Sequence, residues 1–198
     1  MHTTANGRKK KRLSPFNLIE VTLAIGIVAV GMAGLMVLFP IGFNATRDAI
    51  GENYSADMAD QLLHVMAYYS KTSSAYWTSL LGDGTTAGEI SEESSRPTSA
   101  PQNAPSSRTN AFLSDVPIYK TSTNGIYYME SITNGKVDFA AHAIVWKTPT
   151  PNLAGATPTE LPWDLSATIN VEISWPVQKP YDKRAKRYYQ LTVFNPNP

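Results

Sequence analysis

The chain has no cysteine, so disulfides, thiolate metal sites and cysteine nucleophiles are excluded. That absence fixes no compartment, because a cysteine-free protein is equally at ease in reducing and oxidising surroundings. Histidine is scarce: His2, His64 and His142 are the only three, and no two have the spacing of a metal site. Glycine-rich phosphate loops and the Gly-x-Ser-x-Gly elbow are also missing. An enzyme reading therefore has no positive support, and no cofactor is implied. Acidic residues are absent until Glu20, whereas Arg8, Lys9, Lys10, Lys11 and Arg12 form an unbroken basic run. The formal net charge of +1 hides this asymmetry. Without those five, 12 basic residues face 16 acidic ones, so the part from Phe16 onward carries −4. At 198 residues and 42% hydrophobic content there is room for one domain with a modest core plus extra segments.

What is present is a long apolar run. Val21 to Phe43 covers 23 residues, is uncharged, and is apolar except for Thr22. As a helix it is about 35 Å long, enough to cross a bilayer's hydrocarbon core. The basic run just before it holds that end in the cytoplasm. Gly26, Gly31, Gly34 and Gly42 suit a membrane helix, where they allow close packing. Gly31 and Gly34 miss the four-residue spacing of the small-residue dimer motif. Pro40 removes a backbone donor and predicts a kink or local loosening. A cleavable secretory signal fits less well: its apolar region is usually about 7 to 15 residues, and Phe43-Asn44-Ala45 is a poor cut site.

Beyond the span the pattern turns amphipathic. Ile50, Tyr54, Met58, Leu62, Val65 and Tyr69 recur at steps of three or four, which predicts one buried stripe. Phe16 to about Ser70 reads as a single helix of roughly 80 Å, with Gly51 weakening the join. Gly82 to Asn110 is dominated by Ser, Thr, Pro, Ala and Gly, and Ile90 is its only apolar side chain larger than Ala. Such composition predicts a flexible loop. Strands are expected at 125–131, 140–147, 167–175 and 187–194. In the third, Ile169, Val171, Ile173 and Trp175 alternate with Asn170, Glu172 and Ser174, the pattern of a strand with one wet face. The stretch from Gln178 to Lys186 joins the last two strands as a long hairpin loop, and 148–162 is Pro-rich and irregular. The expected class is α+β: a long helix packed on a small antiparallel sheet. Tyr127-Tyr128 and Tyr188-Tyr189 each place one ring on either strand face. Lys179, Lys183, Arg184, Lys186 and Arg187 read as a solvated hairpin tip rather than a nucleic-acid site.

Phe16-Asn17-Leu18-Ile19-Glu20-Val21 follows the basic run and opens the apolar helix. This resembles the class III signal of type IV prepilins and type II secretion pseudopilins. In that family a short basic leader is removed by a membrane aspartyl peptidase. The new N-terminal residue, usually Phe, is N-methylated, and a Glu stands at the fifth mature position. The resemblance implies cleavage between Pro15 and Phe16, methylation of Phe16, and Glu20 as the assembly contact that pairs with a neighbour's α-amine. Leu38-Phe39-Pro40-Ile41-Gly42-Phe43-Asn44-Ala45 and Ile173-Ser174-Trp175-Pro176 are also similar to minor pilins. One departure stands out: the residue before the cut is nearly always Gly in the family and here is Pro15, which restricts Ser14 and offers a bulkier backbone.

The resemblance implies a pilin fold in three parts: a leader at 1–15, the long helix at 16–70 with its span at 21–43, and a periplasmic head at 71–198 with a flexible loop at 82–110. It implies a minor pilin or pseudopilin, anchored in the inner membrane by one pass and later part of a filament. The implied partners are other pilin or pseudopilin subunits, a prepilin peptidase, an inner-membrane assembly platform and the lipid bilayer. The alternative is an unprocessed, membrane-anchored periplasmic binding module or adhesin.

Overall fold

A single α-helix, α1, runs from Leu18–Thr72. The computed structural model describes residues 17–82, 88–113, 116–152 and 159–196. Pro15, Phe16 and the basic run lie outside the described residues. Contacts divide the chain into two units at Arg47/Asp48. In the first, every residue from Asn17 onward is exposed, and the helix continues through Pro40 without ending there.

In the second unit the rest of α1 packs on a five-stranded antiparallel sheet. Its strands are β1 (Ile118–Lys120), β2 (Ile126–Thr133), β3 (Lys136–Thr148), β6 (Ser166–Trp175) and β7 (Ala185–Phe194), in the order β1-β2-β3-β6-β7. A separate small pair, β4 (Pro151–Asn152) and β5 (Thr159–Glu160), lies in the Pro-rich stretch between β3 and β6. The expected α+β arrangement is what the structure shows. The four expected strands are present, and β2 and β3 reach further toward each other than expected. They meet at Asn134-Gly135, both with positive φ (52° and 74°), the conformation of a tight two-residue hairpin turn. A second short helix, α2 (Ser74–Leu81), follows α1 and is capped by the Ser73 side chain, which accepts from the Tyr76 amide.

The buried stripe of α1 is rotated from the expected one. Gly51, Ser55, Met58, Ala59, Leu62, Leu63, Met66, Ala67 and Ser70 are buried, whereas Ile50 is 49% exposed and Tyr54, Val65 and Tyr69 are half-buried. Small residues face the sheet because they let the helix approach it. At Gly51 an added Cβ would lie 3.2 Å from Trp175 Cε2 and closer still to its Nε1. The main core joins this stripe to Tyr127, Met129, Ala143, Val145, Ile169, Val171, Ile173 and Trp175.

The other sheet face is largely covered at β6, which corrects the reading of that strand as wet on one side. Glu172 is 3% exposed and Ser174 fully buried. The cover comes from 88–113, most of which lies in the stretch at 82–110 expected to be a flexible loop; residues 83–87 of that stretch lie outside the described residues. This segment has little regular structure but is pinned. Ser91 O accepts from the Lys147 amide at 2.9 Å, and the Asn103 amide donates to Val177 O at 3.1 Å. Ile90 is buried in the main core, and Ala100 joins Ile126, Ile144 and Trp146 in a second cluster on the covered face. The segment lacks apolar mass of its own, so its order depends on the sheet beneath it.

Candidate functional site

The sequence singled out α1, and the structure gives its first part a definite chemistry. The Thr22 hydroxyl donates to Ile19 O at 3.0 Å and that of Thr46 to Gly42 O at 2.9 Å. Both threonines thus satisfy their polar groups within the helix, as a lipid environment requires. No charged residue lies between Glu20 and Arg47. This is one helix long and apolar enough to cross a membrane.

Glu20 sits in the first turn, its amide donating to Asn17 O at 2.9 Å. An acid there suits the positive end of the helix dipole. Among the described residues, no side chain pairs with its carboxylate. At about 100° per residue, Glu20, Gly31, Gly34 and Gly42 fall on one face of the helix, within about 80° of arc. Gly26 and Pro40 lie toward the opposite side. The helix therefore brings Glu20 together with three of the four expected packing glycines and separates it from Gly26 and from Pro40. A Cβ at Gly26, Gly31, Gly34 or Gly42 would meet nothing within 4 Å, so these are open notches. Shallow apolar grooves mark two of them, one beside Gly26 between Leu23 and Ile27, the other beside Gly42 between Phe39 and Phe43.

No family model, curated protein or solved structure matches this chain. Its chemistry must be read from its own residues.

In the second unit, several polar groups lie differently from expectation. The five basic residues after β6 are not a purely solvated tip. Arg184 is buried. Lys186 stacks over the Tyr181 ring at 3.4 Å and approaches Glu172 at 3.9 Å. Arg187 pairs with Glu52 of α1. Arg184 and Lys186 are engaged because the β6–β7 connection folds back over the covered sheet face instead of projecting outward, whereas Arg187 lies on the opposite, helix-facing side of β7. Tyr188 and Tyr189 divide as expected, Tyr188 exposed and Tyr189 facing the helix, with its hydroxyl 3.1 Å from Ser55 Oγ. Tyr127 and Tyr128 are both buried, because the 88–113 segment covers the outward ring. The Tyr128 hydroxyl donates to Glu130 at 2.8 Å, and burial together with that carboxylate pushes its pKa up. Glu130, which the sequence did not flag, is itself buried and pairs with Arg108 of the covering segment at 2.7 Å.

His64 is exposed and pairs with Asp60 one turn earlier, at 3.1 Å. His142 is fully buried in β3, and burial together with the Arg184 charge lowers its pKa to about 4. Among the described residues no three His, Asp or Glu side chains converge on a metal position.

Proposed function

We propose that this chain is a type IV pilin-like structural subunit, a minor pilin or pseudopilin. In this reading it is held in the inner membrane by α1, with its N-terminus cytoplasmic and its head periplasmic. It then passes into a filament by exchanging lipid contacts for helix contacts with sister subunits. One observation carries the proposal. A bare, uncharged helix begins with an unpartnered carboxylate and bears glycine notches on that carboxylate's own face. A lone carboxylate within apolar surroundings costs a few kcal/mol unless it is paired. The α-amine created by cleavage before Phe16 would supply the partner from a neighbouring subunit and set axial register. The notches on the same face let helix backbones approach closely. The partners are then the prepilin peptidase, the assembly platform and other subunits, and the role is structural rather than enzymatic.

The test is Glu20→Ala in the native host. Membrane insertion should be unchanged, while incorporation into filaments should fall ten-fold or more, equivalent to about 1.4 kcal/mol per factor of ten. Unchanged incorporation would remove the pairing role. Pro15 favours the second reading, an anchored binding module that keeps its leader. Peptide mass mapping separates the two: a mature protein beginning with methylated Phe16 supports the subunit, and peptides joining the Lys-rich leader to Phe16 support the anchor.

A further inference from the structure

The five-stranded sheet has two edges, and the fold treats them differently. At β1 the covering segment closes the edge: the Ala111 amide donates to Ile118 O at 2.8 Å and the Lys120 amide to Thr109 O at 2.9 Å. β7 forms the other edge, and its ten residues pair with β6 alone. The Asn195 amide donates inward to Leu165 O at 2.8 Å, and the register with β6 runs unbroken from Phe194 opposite Ser166 to Ala185 opposite Trp175. The amide and carbonyl of one strand residue point to the same side, and successive residues alternate. Val193, Leu191, Tyr189, Arg187 and Ala185 therefore bond to β6, whereas Phe194, Thr192, Gln190, Tyr188 and Lys186 direct both backbone groups outward. Among the described residues, the one partner on that outward row is the Arg187 side chain, which donates to Lys186 O at 3.0 Å.

The devices that blunt an open edge are missing from β7. It has no proline and no bulge. Its two charges are turned to carboxylates of its own chain, Lys186 to Glu172 and Arg187 to Glu52, so neither stands out to repel a neighbour. Its side chains suit cross-strand contact. Tyr188, 62% exposed, and Thr192 lie on one face. On the other, Tyr189 and Leu191 sit half-buried at the margin of the main core. An added strand would extend that core by one row.

We propose that β7 is a docking edge for an extended segment of another protein, which adds to the sheet as a sixth strand. The outward row spans about 27 Å; a small ligand cannot cover it, and a helix has already used its backbone groups. Opposite Tyr189 and Leu191 the incoming residues are apolar, and opposite Tyr188 and Thr192 they are aromatic or β-branched. A second copy of this chain is the wrong occupant. Arg187 meets Glu52 and Tyr189 meets Ser55, so β7 and α1 run the same way. Two-fold pairing of β7 with its own copy would turn the second α1 end for end, which two chains anchored in one membrane cannot do. That exclusion alone rests on the proposed anchor; the open edge does not.

The probe is a synthetic peptide with the sequence of β6, Ser166–Trp175, because β7 already accepts those side chains on its inner side. In the same register its Asn170 and Glu172 amides face Gln190 and Tyr188, while its Val171 and Ile173 amides point away. The 15N-labelled full chain in neutral-detergent micelles is followed by amide hydrogen exchange. Without peptide, the Tyr188, Gln190 and Thr192 amides should exchange fast and those of Tyr189 and Leu191 slowly. With peptide, the first three should slow ten-fold or more, saturating at a Kd on the order of 1 mM or tighter. Peptide N-methylated at Asn170 and Glu172 should fail, whereas peptide N-methylated at Val171 and Ile173 should still bind. The proposal is overturned if those three amides are already slow in the free chain, if the peptide does not slow them, or if both methylated peptides act alike. Slowing that grows with protein concentration in the absence of peptide identifies a second copy as the occupant and overturns it too. None of these readouts depends on Glu20 or on cleavage before Phe16, so the inference can fail while the structural role stands.

Discussion

Gly51→Ala is expected to destabilise the head by about 2 kcal/mol, opposite in sign to what helix propensity alone dictates. In an exposed helix interior, replacing Gly by Ala is favourable by about 1 kcal/mol. At Gly51 the new methyl would enter the space of the Trp175 indole, and overpacking a close contact costs about 1–3 kcal/mol. The ring is rigid and 7% exposed, held by the main core, so it cannot simply swing aside. All four tryptophans, Trp77, Trp146, Trp163 and Trp175, lie in the second unit. Urea unfolding of the full chain in detergent, followed by tryptophan fluorescence, therefore reads the head and not the span. A double-mutant cycle with Trp175→Leu isolates the contact: with the indole gone, Gly51→Ala should become neutral or stabilising. If Gly51→Ala stabilises the otherwise unchanged protein, the close approach of α1 to β6 is wrong.

The second large effect is acid sensitivity from His142. Its folded pKa of about 4 lies below the ordinary histidine value of 6.5, which serves for the unfolded chain. Between these values the unfolded chain binds more protons than the native one, so stability rises with pH. The contribution is therefore complete above pH 6.5 and is lost as pH falls toward 4, by about 3 kcal/mol over the whole window. The groups facing the ring are Arg184, which opposes its protonation, and the Tyr128 ring, 5.3 Å away. Urea midpoints at pH 7.5 and 4.5 measure the loss. His142→Gln keeps a polar amide at the position but does not titrate, so its loss should be smaller by about 2 kcal/mol. Equal losses in the two proteins would mean that His142 is not held neutral.

Some of this was legible from local pattern. Charge and hydropathy located the apolar run, and richness in Ile, Val, Tyr and Trp, with period-two alternation in β6, found the four main strands within a few residues. The Asn134-Gly135 dipeptide was a usable turn signal that the strand reading passed over. The stripe of α1 was misplaced for a physical reason. Reading helix periodicity from large apolar residues selected Ile50, whereas the contact face is built from Gly51, Ser55, Ala59 and Ala67, chosen for closeness rather than hydrophobicity. The short α2 and β1 carry too few residues for periodicity to register.

The candidate sites divide in the same way. Glu20 and the glycines occupy one continuous helix, so their angular relation follows from 3.6 residues per turn and is already contained in the order of residues. His142 and Arg184 are 42 positions apart, and the 88–113 segment, polar and poor in large side chains, buries neither of them by any local rule. Local periodicity encodes which face of an element is apolar. Whether the polar face then meets water or another stretch of chain depends on long-range contacts, and only the packed fold decided that Glu172, His142 and Arg184 would lie under cover.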